Sequence, residues 1–248
     1  MAAEQNPRIA IAAIGDQVVI VSGRRYDAAI ARDEAPPTRR KPWARMALVR
    51  ALARTSRPRR QSELALETGA TQAAVSQGLK QIESLVERRG GGWALKDIRP
   101  TIDYFLAHYP GPHGITQYWY GVQPVIQQAE RVATLSPTAL LSGDAGADRI
   151  APWRTPRMAI IYVDQGLDLA PLGFAEATPD RATVSVTVPS DPTIWHVATA
   201  YAGGRRAASV VDPLLCAYDV ARSGGSDADE ARERILEALT KSWTAGRD

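Results

Sequence analysis

The chain has 248 residues, 45% of them hydrophobic and 23% charged, with a formal net charge of +3 and a single cysteine. That length and balance suit two cores of ordinary size and exclude a low-complexity chain. One cysteine excludes an internal disulfide and a multi-cysteine zinc site. No apolar run approaches the roughly 18 residues of a membrane helix, and residues 1–8 lack a signal peptide's basic and apolar regions. The expected compartment is the bacterial cytoplasm, with no membrane partner.

The net charge hides an asymmetry. Residues 1–100 carry 18 Lys/Arg against 10 Asp/Glu, a net of +8, while residues 101–248 carry 12 against 17, a net of −5. A basic half joined to an acidic half suggests one domain for a polyanion and another for something else.

In chain order, residues 8–14 and 17–22 read as two strands around a Gly15-Asp16 turn, with a third strand expected at 26–31. Residues 33–42, with Pro36, Pro37 and Pro42, read as a linker. Its Arg39, Arg40 and Lys41 are candidate DNA contacts, as a basic arm on phosphates or in a minor groove. The first expected unit is therefore 1–42, a β-hairpin and basic linker.

A helical domain is expected over 43–110. Its first helix, 43–53, has Met46, Val49, Leu52 and Ala53 on the core face and Arg45, Arg50 and Arg54 off it. Arg57, Arg59 and Arg60 then sit at the approach to a second helix, Gln61–Thr68, where guanidinium groups suit phosphates. After a turn at Gly69-Ala70, Thr71 is a candidate N-cap for a helix over 72–85. Val75, Leu79, Ile82 and Leu85 give that helix one apolar face. Thr71, Gln72, Ala73, Ser76, Gln77 and Lys80 fall elsewhere, on a short polar face without acid. Amides and hydroxyls read base edges, and small side chains let the backbone come close. Residues 86–95, with Arg88 and Arg89 and three successive glycines, read as a two-stranded wing. The order points to a winged helix–turn–helix that binds double-stranded DNA. A short helix, 101–108, and a break at 109–114 close the domain. His108 and His113 straddle that break without a third metal ligand nearby.

The third expected domain, 111–248, mixes strands and helices. Strands are expected at Ile115–Tyr120, 158–163 and 182–188. Helices are expected at 122–133, 140–150, 169–174, 193–196, 211–222 and 227–243. Cys216 lies in an apolar run and reads as a buried thiol. The fold class is α+β.

An enzyme reading finds little to use. Ser142-Gly143-Asp144 with Asp148 invites a nucleotidyltransferase test. The two carboxylates are four apart on an expected helix, not converging from a strand on paired ions. Asp144 as a helix cap or first-turn acid fits better. No G-x-S-x-G elbow, P-loop or dinucleotide fingerprint occurs. No catalytic residue, metal or cofactor is expected.

Residues 140–153, the strand around Ile160-Ile161-Tyr162-Val163, Val186-Thr187-Val188-Pro189, Asp191-Pro192 and the run Val211-Asp212-Pro213-Leu214-Leu215-Cys216-Ala217-Tyr218-Asp219 resemble the C-terminal part of AbiEi-type antitoxins of type IV toxin–antitoxin pairs. The resemblance covers about residues 45–243 and is carried by patterns of small and apolar residues. It implies a DNA-binding autorepressor with contacts at 71–80 and Arg88-Arg89, and a nucleotidyltransferase-like toxin as partner. The hairpin at 8–22 and the basic linker depart from that family. A transcriptional repressor acting as a homodimer is the expected function. The alternatives are a ligand-sensing regulator without a toxin and a nucleotidyltransferase-like enzyme.

Overall fold

The computed structural model describes residues 11–13, 18–21, 24–27, 42–204 and 208–246. Two compact units emerge, 1–41 and 42–248. In the first, β1 (Ile11–Ala13), β2 (Val18–Val21) and β3 (Arg24–Asp27) form an antiparallel sheet in that order. Ala13 pairs with Val18 across the expected turn. The third strand begins at Arg24 rather than at residue 26, because β2 and β3 pair from Val21 opposite Arg24. Arg39, Arg40 and Lys41 lie outside the described residues.

The second unit is α+β. It opens with α1 (Trp43–Leu52), whose residues 46–52 are buried on every side. Such a helix is a core element rather than an amphipathic cover. Arg50, expected off the core face, is fully buried. Its guanidinium donates to Asp212 at 2.9 Å and to Thr193 Oγ1 at 2.7 Å, with Asp191 at 3.5 Å. Burial alone would lower its pKa, but Asp212 and Asp191 outweigh that and hold it above the ordinary arginine value. Asp191 also accepts from the Tyr109 hydroxyl at 2.9 Å. The paired carboxylates are what make a buried arginine tolerable.

Next come α2 (Gln61–Thr68), α3 (Gln72–Gln81), and a hairpin of β4 (Val86–Arg89) and β5 (Gly92–Leu95). α3 ends four residues before the expected Leu85, and the Leu85 N–H turns back to the Ile82 carbonyl at 2.9 Å. Gly90 and Gly91 both have positive φ (55° and 80°), the geometry a two-residue hairpin turn requires. α4 (Ile98–His108) starts three residues earlier than expected. Asp97 caps it by accepting from the Arg99 N–H at 2.9 Å. Pro100 then falls in the first turn, where its missing N–H leaves no intrahelical bond unmade.

The remainder comprises β6 (Ile115–Tyr120), α5 (Val125–Ala133), β7 (Leu140–Ser142), α6 (Gly143–Ile150), β8 (Ala159–Tyr162), a 3₁₀ turn (Ala170–Leu172), β9 (Ala175–Glu176), β10 (Val184–Val188), α7 (Ile194–Tyr201), α8 (Pro213–Val220) and α9 (Ala228–Thr244). The sheet order is β7-β8-β10-β6-β9. β8 and β10 are parallel, and the other neighbours are antiparallel. The single helix expected over 140–150 is instead a strand followed by a helix. Leu141 pairs with Ile161 and exchanges backbone bonds with Ser209 and Val211, so sheet pairing overrides the local pattern. Gly143, at φ 56°, makes the corner. The turn expected at 193–196 extends into the eight-residue α7.

The described residues form two hydrophobic cores. One packs α5 on a sheet face through Trp119, Ala129, Val132, Ile161, Val184 and Val186. The other runs from Met46 on α1 through Phe105 on α4 to Leu214 on α8 and Ile235 on α9. It crosses the expected boundary near residue 110 without a break. The 109–114 segment is a turn within one packed body, and Tyr109 is itself buried there.

Candidate nucleic-acid interface

The α2–turn–α3 segment is held from behind at two points. Gly69 ends α2 with φ 66°, and a Cβ there would lie 2.3 Å from the His196 ring of α7. The ring therefore sits directly on the turn. A Cβ on Gly78 would lie 3.1 Å from Leu48 of α1. The glycine in mid-α3 thus serves close approach to the helix behind it. The Thr71 hydroxyl oxygen accepts from the Ala74 N–H at 3.2 Å, which satisfies one orphan donor at the start of α3.

With Val75, Gly78 and Leu79 buried against this support, the opposite face of α3 looks outward. Thr71, Gln72, Ala73, Gln77 and Lys80 are exposed, and Ser76 is half-buried. Gln81, outside the expected polar face, is exposed as well. Its side chain follows Gln77 by one turn. Among the described residues no side-chain hydrogen bond engages Gln72, Gln77, Lys80 or Gln81. The face is unspent.

The basic residues around it divide into two kinds. Arg57 and Arg60 are exposed before α2, and Glu63 accepts the Arg60 backbone N–H at 2.6 Å. Arg59 corrects the expectation for its position. It is 6% exposed, and its guanidinium donates to the carbonyls of Ala51 (2.7 Å) and Leu52 (3.1 Å) and to Glu67 (2.9 Å). It caps the end of α1, and its burial keeps the guanidinium away from a phosphate. Burial lowers its pKa, opposed by Glu67. Its backbone exchanges bonds of 2.9 and 2.8 Å with Trp93, so the segment lies beside β5. A Cβ on Gly92 would fall 2.8 Å from the Arg59 nitrogen, which is why the hairpin needs glycine there.

On the hairpin, the Arg88 guanidinium lies 5.5 Å from the centre of the Trp93 ring, a cation–π distance. Arg89 pairs with Glu87 at 3.1 Å across half-exposed side chains. An exposed pair of this kind is worth less than about 1 kcal/mol and yields readily to a competing anion.

In the sheet-bearing part, Asp144 is 1% exposed. It accepts from the Arg154 guanidinium, from the Arg157 N–H at 2.7 Å and from the Met158 N–H at 3.2 Å. The carboxylate therefore clamps the 154–158 loop, and it lies in the first turn of α6 as expected. Asp219 on α8 is buried as well, accepting from Ser142 at 2.6 Å and Tyr162 at 2.8 Å. Burial pushes its carboxyl up to about 6 despite those two donors. Cys216 is fully buried and its thiol is pushed up by desolvation.

No protein-family model, no curated protein and no solved structure matches the chain. Among the described residues no helix is long and apolar enough to cross a membrane.

Proposed function

We propose that this protein is a sequence-specific double-stranded DNA-binding regulator of transcription, acting as a cytoplasmic repressor. In this reading α1–α4 with the β4–β5 hairpin are a winged helix–turn–helix, and α3 is its recognition helix. The observation that carries the reading is the division of α3. One face is wedged against Leu48, while the other presents Gln72, Gln77 and Lys80 with no partner among the described residues. Polar side chains held on a rigid helix, flanked by Arg57 and Arg60 before and Arg88 and Arg89 after, match what base edges and phosphates require. A homodimer on two half-sites is the expected assembly. The resemblance to AbiEi-type antitoxins adds an autorepressor role and a nucleotidyltransferase-like toxin as a proposed partner. The engagement of Asp144 by Arg154 supports a binding role over catalysis.

A second reading has its own observation. An open groove of about 910 Å³ is lined by Tyr120, Ala175, Glu176, Thr178, Asp180 and Arg181, a size that suits a small effector. The test is to sequence the genomic fragments that the purified protein retains. Sites clustered at its own promoter support the autorepressor. Sites spread over many promoters support the broader, ligand-sensing regulator. Fragments no different from the input would refute both.

A further inference from the structure

We infer that the base pairs read by α3 are A·T pairs, an inference that rests on the duplex-DNA reading above. A recognition helix reads base edges with its N-terminal residues. Here those are Thr71, Gln72, Ala73 and Gln77, all exposed. In the major groove adenine presents N7, an acceptor, beside the N6 amino donor. A glutamine amide, with one donor and one acceptor, matches that pair with two bonds. Guanine presents two acceptors, N7 and O6, and calls for the paired donors of Arg or a Lys. α3 has no Arg, and its one Lys is Lys80, in the last turn. Lys80 lies about 4.5 Å beyond Gln77 along the helix axis, past the N-terminal residues with which a recognition helix reads base edges.

Cytosine's amino group calls for a carboxylate, and α3 carries none. The nearest upstream acids are committed elsewhere. Glu63 holds the Arg60 N–H, and Glu67 holds Arg54 and Arg59. The remaining side chains at the tip of α3, the Thr71 methyl and the Ala73 methyl, offer apolar contact of the kind thymine's 5-methyl group accepts. Gln72 and Gln77 are five residues apart, about 7.5 Å along the axis. Stacked base pairs rise 3.4 Å, so the two glutamines meet different base pairs. The half-site therefore holds at least two adenines read through N6 and N7.

The test begins with full-length protein and a random duplex library. The retained motif is then rebuilt with 7-deaza-adenine at one adenine at a time, which removes the N7 acceptor and leaves the protein untouched. The expected result is an A·T-centred half-site with two adenines where the analogue weakens binding about fivefold or more. Gln72→Ala should abolish the analogue's effect at one of them and Gln77→Ala at the other. Both positions are exposed, and unchanged thermal melting of the variants confirms their folding. A motif centred on G·C pairs, or indifference to the analogue at every adenine, would overturn the inference while leaving the duplex-DNA reading intact. Retention of no duplex would overturn both.

Discussion

Arg59 and Arg60 are neighbours in sequence with opposite fates, and exchanging each for alanine separates structure from recognition. Arg59→Ala strands the Leu52 carbonyl, takes a side-chain donor from the Ala51 carbonyl and leaves the buried side of Glu67 with Arg54 alone. Removing one partner of a buried charge pair costs about 3–5 kcal/mol. For a body of this size each kcal/mol moves the melting temperature by about 2–4 °C, so the variant should melt about 6–20 °C below the parent. Arg60→Ala removes an exposed side chain and should change stability by less than about 0.5 kcal/mol. If Arg60 meets a phosphate, that variant should instead flatten the slope of log K against log salt by about 0.9. Thermal melting followed by circular dichroism, and a salt titration of binding to a retained duplex, read the two effects. Equal melting of Arg59→Ala and the parent would refute the capping role. A lower melting temperature for Arg60→Ala, with the salt slope unchanged, would refute the division between the two arginines.

Asp219 provides a pH dependence. Its folded pKa of about 6 lies above the ordinary 3.8. The folded state thus holds the proton more tightly, and stability present below pH 3.8 is lost as pH rises through 6. Two units correspond to about 3 kcal/mol. Asp219→Asn should lose that decline in urea unfolding between pH 4.5 and 7.5, and parallel pH profiles for the two proteins would contradict it. Arg50→Ala should destabilise by about 3–5 kcal/mol, since Asp212 and Asp191 would face each other unpaired; a change under 1 kcal/mol in chemical denaturation would count against the ion cluster as a link between α1 and α8. Gly92→Ala should detach the β4–β5 hairpin from Arg59, because its Cβ meets backbone at 2.8 Å. Faster proteolysis within 86–95 than in the parent is the expected sign, and an unchanged digestion pattern would be the contrary one.

The α+β class, the order of helices around α3 and the hairpin glycines are legible in the sequence because each rests on local chemistry. Val75 and Leu79 fall at helical spacing, Thr71 precedes them as a cap, and Gly90-Gly91 allows the two positive φ angles of a tight hairpin turn. What the sequence conceals depends on distant partners. Arg50 looks like a solvated helix residue until Asp191 and Asp212, more than 140 positions away, close around it. Arg59 looks like its exposed neighbours until the end of α1 supplies carbonyls for it. Leu140, Leu141 and Ser142 continue a helical pattern locally, but β8 on one side and residues 209–211 on the other offer sheet bonds. The spacing that reveals an amphipathic helix carries no information about a strand buried on both edges. Gln81 was legible in principle, as the residue one turn past Gln77 on the outward face.

In the proposed function the outward face of α3 meets duplex DNA. A photo-reactive benzophenone side chain placed at Gln77, and separately at Glu237 on α9, tests it most directly against a duplex the protein retains. Both positions are exposed, so neither substitution disturbs a core. Crosslinking to DNA from position 77 and none from position 237 is the predicted result. Crosslinking from 237 alone, or from neither position while binding persists, would contradict contact of DNA with α3.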